Sequence, residues 1–460
     1  MKNQFRKGFL TVLAVLLVLS LTACSTAGGS GSTASSGGTE ADSSSQGEPV
    51  AEERTLTIWQ SAMTGALELE NPEEEWVFTK MCRTFEEQNP GVTIESTYEK
   101  DQQVLQSKLK AAVLANDAPD LANIYSGYLV TTLSDIFVDI TSYIPAEDSE
   151  KILGWEAVSK DMKLGNPIYG YPAAGAEMGL LLYNKELTGQ AGVDLEGEGA
   201  PKNAEEFMAA LQKIKDAGIL PIVGSDQGYN PLFMFSFGSW WTQQVGTEQV
   251  TSNSLGKTKF AEDTAFIDSL GMVAQMYQEG FINEDYTTRA DALGDFLTGK
   301  AAMLSTGNWD VQNGIDGLGE ENLGVYMVPN FNENVKYNNA TIGGVGQAMC
   351  VVSTCEDPEL AVNFLSFISN KENVVSITKI LSKIPQRTDI TAEEIGWAGK
   401  PAFEKVLAAA SENLLPWNDN SMQSDVMNEY YKQTTLAVIG TITVEECAAA
   451  LDAKAAEVNG

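Results

Sequence analysis

The sequence predicts an α/β fold built on a doubly wound sheet, and three observations predict it. Beyond Arg54 short β-rich runs alternate with amphipathic helical stretches, giving an opening order β-α-β-α-β. A second β-α unit recurs between residues 204 and 223. The chain is 460 residues long and 43% hydrophobic, enough to fill two or three packed lobes.

The elements follow in order. Leu56-Thr57-Ile58-Trp59 reads as the first strand, Val77 to Gln88 as a helix, and Val92-Thr93-Ile94 as the second strand. A helix from Gln102 to Ala115 leads to a third strand, Pro119 to Tyr125. Ligands in such sheets collect beyond the carboxyl ends of strands, where Trp59, Gln60, Tyr125 and Ser126 fall. The clearest helix runs from Ala204 to Ala217. Asn203 is its cap, Glu206 completes a capping box, Phe207, Leu211 and Ile214 share one face, and Gly218 stops it. Ile219 to Val223 is a strand, as is Ala348 to Val352, and Asp357-Pro358 opens a helix carrying Leu360, Phe364 and Leu365.

Composition excludes several chemistries. There is no histidine, which removes Ser-His and Cys-His nucleophile pairs, His-containing zinc sites and an imidazole base. With 63 acids against 29 bases the formal charge is −34, which argues against nucleic acid, since binding there depends on Lys and Arg displacing counterions. Acidic runs such as Glu73-Glu74-Glu75 read as solvated charge, and no calcium loop or phosphate loop is present, so neither a metal nor a cofactor is expected.

The N-terminus reads as an export signal. Lys2, Arg6 and Lys7 precede the apolar run Phe9 to Leu21, too short for a membrane span, and Leu21-Thr22-Ala23-Cys24 resembles a bacterial lipobox. Residues 1–23 are therefore expected as a cleaved leader, with Cys24 lipidated and joining the chain to a membrane. Cleavage removes three positive charges and takes the net charge from −34 to −37. Residues 24–54 read as a tether: 20 of the 24 residues from Ser25 to Glu48 are Gly, Ser, Thr or Ala, a composition with nothing to bury. Such a chain spans roughly 25–30 Å on average. Cys82, Cys350, Cys355 and Cys447 show no metal spacing and are expected as buried free thiols.

Several segments in order resemble the extracellular solute-binding proteins of ABC sugar importers, the maltose-binding-protein-like family. They are Ala118 to Leu121, Tyr169-Gly170-Tyr171-Pro172 with Leu182 to Lys185, the Pro201 to Pro221 helix, Phe296 to Met303 with Gly307-Asn308-Trp309, Gly343 to Gly346, and Asp357 to Phe367. The resemblance spans nearly all of residues 55–450. It implies a two-lobed periplasmic-binding-protein-like fold with three chain crossings, the first near Pro172 to Leu181. One lobe would be 55–175 with 330–388, the other 176–329 with 389–460. It also implies a monomer that carries a sugar or oligosaccharide to ABC permease subunits without breaking a bond.

Sugars combine hydroxyl groups with apolar C–H faces, so their sites pair flat aromatic rings with carboxylates and amides. By position in the family pattern, Tyr125, Glu177 and Trp309 are the expected ligand residues, Asp310 beside the last could accept a hydroxyl proton, and core packing is the competing reading of Trp309. Trp59, Gln60 and Ser126 face the expected cleft, and Gly343-Gly344 would let backbone amides approach the ligand. Trp417 and one of Trp240-Trp241, taken as Trp241, are weaker candidates together with Tyr229. Asp120 reads equally as a structural or a ligand residue. Two other functions stay open: a receptor for a peptide, polyamine or anion on the same fold, and a secreted glycoside hydrolase using two carboxylates.

Overall fold

A computed structural model describes residues 53–460 apart from Gln227 and Tyr229; the leader, Cys24, most of the tether and the candidate Tyr229 lie outside the described residues. Among the described residues nine strands form in chain order: β1 (Arg54–Gln60), β2 (Val92–Tyr98), β3 (Leu121–Tyr125), β4 (Gly170–Asn184), β5 (Leu220–Val223), β6 (Ala301–Gly307), β7 (Leu323–Tyr326), β8 (Thr341–Val351) and β9 (Leu414–Pro416). The hydrogen-bonded path is β2-β1-β3-β8-β4-β6-β5, with β7 beside β4 and β9 beside β8.

The opening units form as the alternation of sequence dictates. Helices Val77–Gln88 and Gln102–Ala115 separate three strands, and β1 lies parallel to both β2 and β3. Phe78, Met81, Cys82 and Phe85 occupy one face of the first helix and are buried, so the helix is held by its apolar stripe. Phe85 meets Phe364 edge to face at 5.2 Å, tying this layer to the late helix Pro358–Ile368. The sheet departs from an all-parallel one at β8, which runs antiparallel to β3.

The second lobe is built around β4, β6, β5 and β7. Helix Ala204–Asp216 starts where expected: Asn203 accepts the Glu206 N–H at 2.9 Å. The Glu206 carboxylate takes the Lys202 N–H at 2.9 Å, one residue before the one a capping box requires. Phe207, Leu211 and Ile214 are buried, Phe207 packing on Phe237 and Trp240, and Gly218 leaves the helix with φ +78°.

Three segments cross between the lobes. In β4 the residues up to Met178 pair with β8, those from Gly179 pair with β6, and the register with β8 shifts between Ala173 and Ala176. Ala174 and Gly175 adopt φ +60° and +81° there. Gly175 is required twice, for its backbone and because a Cβ would lie 2.8 Å from the Lys383 side chain and 2.9 Å from the Ile384 carbonyl of another crossing. That third crossing bonds to β4 through Ala176 N–H to Ile384 O at 2.6 Å and Ile384 N–H to Ala176 O at 2.8 Å. The remaining crossing is β8, later than the boundary at 330 read from sequence. Pro329 and Ala340 accept hydrogen bonds from Trp240 and Gln243, and Thr341 donates to Gly179, so this stretch belongs with the second lobe.

Cys82, Cys350, Cys355 and Cys447 are buried free thiols. Among the described residues no helix is long and apolar enough to cross a membrane.

Gly179 tests how tightly the crossing is packed. A Cβ there would lie 1.2 Å from the Phe235 carbonyl oxygen, an overlap only backbone displacement can relieve. Gly179→Ala is expected to destabilise the fold by about 3 kcal/mol or more, read by denaturant unfolding. A loss below about 0.5 kcal/mol would show that the turn around Phe235 moves freely.

Candidate ligand-binding cleft

Side chains alternate along a strand, and at the crossing this alternation divides two spaces. Glu177 lines a cavity of about 700 Å³, while its neighbour Ala176 lines a second one of about 390 Å³. Tyr125 and Ser126, at the end of β3, divide in the same way. Both cavities take walls from both lobes, on opposite sides of the crossing strands.

Glu177 is the fixed charge of the larger cavity. Its carboxylate meets the Lys383 ammonium at 2.5 Å, with side-chain exposures of 17% and 12%. That shielding makes the pair stronger than a surface contact and orients the carboxylate from the third crossing. Gly346 leaves the space: a Cβ there would lie 2.6 Å from Glu177 Oε2. Next to it, Asn308 accepts the Met178 N–H at 2.8 Å and donates to the Ser382 carbonyl at 3.0 Å. The residue after Asn308 is Trp309, so the same link sets the ring beside the carboxylate.

Trp309 belongs to an aromatic cluster. Phe235 packs edge to face on it at 4.9 Å and on Trp417 at 5.9 Å. Phe235 lies in a π-helical turn, Leu232–Ser236, whose wider winding leaves it half-buried while Phe233 and Phe237 enter the core. Trp309 and Phe235 line the larger cavity, and Trp417 closes the other side of the cluster, against the smaller one.

Asp419 brings a second carboxylate to the larger cavity. It accepts the Tyr431 hydroxyl at 2.6 Å and the Asn420 N–H at 2.9 Å. Burial pushes its carboxyl above the usual range, against these two hydrogen bonds, which pull it down. Burial and the Asp419 charge together hold the Tyr431 phenol well above its ordinary value. Polar amides complete the wall, among them Gln347, which accepts from Gln102 at 2.5 Å.

The lobes touch between the cavities. Asn420 Nδ2 donates to Ser126 Oγ at 3.3 Å, and Ser126 donates to the Val345 carbonyl. Gly127, with φ +76°, sits where a Cβ would lie 2.3 Å from the Asn420 carbonyl oxygen.

The structure gathers only part of the set expected from sequence. Tyr125, Glu177 and Trp309 come together in the larger cavity. Ser126, Gly343, Gly344 and Trp417 line the smaller one. Gly343 serves strand packing, since a Cβ there would lie 2.3 Å from the Glu177 carbonyl oxygen. The other four line neither cavity. Trp241 is fully buried in the second lobe, its indole N–H on Asp263 at 3.0 Å; it is a core residue because the apolar face of its helix turns inward. Gln60 is buried and bonds Thr64 and the Met63 N–H, and Trp59 packs against the first core. Asp310 points back, accepting from Thr306 and from Asn313, and burial raises its carboxyl. Asp120 is structural: it accepts both the N–H and the hydroxyl of Thr57. Sequence reasoning missed Phe235, Lys383, Asp419 and Tyr431. Phe235 sits in an aromatic run and Asp419 two residues past Trp417, a weak signal for each; nothing local marks Lys383. Among the described residues no cluster of acids and thiols could hold a metal ion.

Comparison with known proteins gives the following. The profile of a family described as bacterial extracellular solute-binding protein matches residues 80–405. No curated protein matches the chain. Among solved structures, a chitin oligosaccharide binding protein is similar at TM-score 0.74 and 21% identity, covering 88% of this chain and 99% of that one. The cyclic α-maltosyl-1,6-maltose binding protein from Arthrobacter globiformis gives 0.66 at 18%, covering 88% and 99%. An ABC transporter solute binding protein from Thermotoga lettingae, bound with α-D-tagatose, gives 0.69 at 18%, covering 89% and 100%. At these identities the likeness establishes the two-lobed fold.

Two expectations follow from the cleft. Because the Asp419 carboxyl is raised in the folded state, the fold holds its proton at higher pH than the unfolded chain does. The group therefore favours the fold at acid pH, and that contribution is lost as pH rises through the raised value. Asp419→Asn removes the dependence, so its thermal midpoint should gain on the parent as pH is raised from about 4; a difference that shrinks with pH would mean a lowered carboxyl. Gly127→Ala should cost about 1–2 kcal/mol in backbone strain and hold the lobes apart. Small-angle scattering should then give a larger radius than the parent, and an unchanged radius would mean that this contact does not limit closure.

Proposed function

The chain belongs to the bacterial extracellular solute-binding proteins, and from that premise we propose that it captures a sugar or oligosaccharide in the larger interlobe cavity. One observation carries the reading: aromatic rings, carboxylates and amides converge from both lobes on a single cavity of about 700 Å³. Trp309 and Tyr125 offer apolar faces to C–H groups. Glu177, oriented by Lys383, and Asp419, held by Tyr431, accept hydroxyl protons. The ligands named for the similar solved structures are carbohydrates, which supports the same class.

Delivery follows from the crossings. A ligand bound between two lobes favours the closed form by its extra contacts, and the closed form offers the permease a surface the open form lacks. Anchoring is assigned to the lipid on Cys24, with residues 24–54 as the tether. We take the protein to act as a monomer, as the family resemblance implies.

A second reading, hydrolysis, draws on Glu177 and Asp419 lining the same cavity. It is less favoured because each carboxylate is already engaged, one by an ammonium and one by a phenol, and because the family consists of binding proteins.

Thermal unfolding against mono- and oligosaccharides, with amino acids, peptides and polyamines as controls, separates the readings. A raised midpoint with one sugar class, and that sugar recovered intact, is the expected result. Cleaved sugar would establish the hydrolase, and a rise with a control alone would keep the receptor and change its ligand. Trp309→Ala and Glu177→Gln should each weaken sugar binding at least tenfold, about 1.4 kcal/mol, in a calorimetric titration. Unchanged affinity in both would remove them from the site.

A further inference from the structure

Behind the crossing strands lies the smaller cavity, about 390 Å³, to which sugar capture in the larger one gives no role. Its walls come from three directions. The first lobe supplies Leu153 and Met162, the second Leu407, Leu414 and Trp417, and the crossings Val345 and Ile384. Leu153 is 53% exposed, so the wall is not sealed inside the core.

The polar side chains of this wall turn to the protein itself. The Arg387 guanidinium donates to both oxygens of Asp389 and to the Ser369 carbonyl, each at 2.9 Å. Ser411 donates to the Leu407 carbonyl at 2.8 Å, Gln386 to the Pro172 carbonyl at 3.2 Å, and Asn420 to Ser126 at 3.3 Å. What the wall chiefly offers an occupant is hydrocarbon and the Trp417 indole, and the exposed Glu156 adds negative charge. Such a surface recognises a flat, uncharged apolar molecule and disfavours an anion. An apolar cavity of about 150 Å³ is already enough to hold benzene.

Two features tie this cavity to the cleft. Both cavities take walls from both lobes and flank the same crossing strands, so a rotation of the lobes that narrows one widens the other. Opening the cleft therefore compresses the smaller cavity, and an occupant there resists opening. One aromatic cluster also spans the two spaces: Trp417 lines the smaller, Trp309 lines the larger, and Phe235 packs on each. The Trp417 N–H donates to the Gly343 carbonyl at 3.1 Å, which fixes the cluster to crossing strand β8.

We propose that the smaller cavity is an effector site for an uncharged planar aromatic molecule, whose binding favours the closed lobes and so raises affinity in the larger cavity. The proposal rests on the larger cavity being the sugar site. Coupling of this kind is reciprocal: sugar in the cleft tightens the aromatic molecule by the same factor.

Indole is the probe. Calorimetric titration of the full chain with indole should show binding, and saturating indole should tighten the sugar identified by thermal unfolding about fivefold or more. Ala410, in helix Pro401–Glu412, lines the cavity, and Ala410→Phe places a ring there. That variant should lose the indole heat and carry the raised sugar affinity without indole. Leu153→Ser, a change at an exposed position, should weaken indole about fivefold or more and leave sugar affinity in its absence as in the parent. Competition between indole and sugar would put indole in the larger cavity and overturn the effector site. Absence of indole binding, an unaltered sugar affinity, or indole binding retained in both variants would overturn it as well. If no sugar binds, the sugar reading falls, and small-angle scattering judges the effector site by itself: indole alone should lower the radius of gyration, and an unchanged radius would overturn the site.

Discussion

Strand β4 is the constraint on which the rest of the molecule depends, because its 15 residues hydrogen-bond first to one lobe and then to the other. Its pairing passes from β8 to β6 at Gly179, and shortly before that the register with β8 breaks between Ala173 and Ala176. That break brings the third crossing within hydrogen-bond range at Ile384 and places Lys383 on Glu177. The hinge and the principal carboxylate of the cleft are therefore one piece of structure. A motion of the lobes about these crossings displaces Glu177, Trp309 and Tyr431 relative to Tyr125 and Gln347.

The electrostatics follow a similar economy. A chain with a formal charge of −34 has few cations, and several of those near the hinge and the second lobe are paired. Lys383 holds Glu177, Arg387 holds Asp389, and Arg289 and Lys300 converge on Asp295. The larger cavity is lined by Glu177, Asp419 and Asp425 against Lys110. Such a lining favours neutral hydroxyl-bearing ligands over anions, because an anion would meet carboxylates in a partly desolvated space.

Part of this was legible along the chain. Local patterns set the β-α-β-α-β opening, the Asn203 cap and the helix start at Asp357-Pro358, and each formed as read, while the Glu206 carboxylate closed on Lys202 instead of Asn203. Tyr125, Glu177 and Trp309 were expected from their positions in the family pattern, and all three line the larger cavity. Trp241 and Asp310 were misplaced for one physical reason: residue type does not reveal which face of an element turns inward. Trp241 entered the core, and Asp310 turned to Thr306 and Asn313. Phe235 was hidden among buried phenylalanines until the π-helical turn rotated it outward.

What the sequence by itself determined was the order of strands and helices, the cap and stop of individual helices, and the supply of aromatic and carboxylate side chains. These depend on neighbours a few residues apart, so their causes are local. Only the tertiary structure decided where the chain crosses between lobes, which of two neighbouring side chains faces which cavity, and that Lys383 meets Glu177 and Asn420 meets Ser126. Those outcomes join residues about 200 or more positions apart, or turn on a one-residue register shift, and no local pattern encodes either.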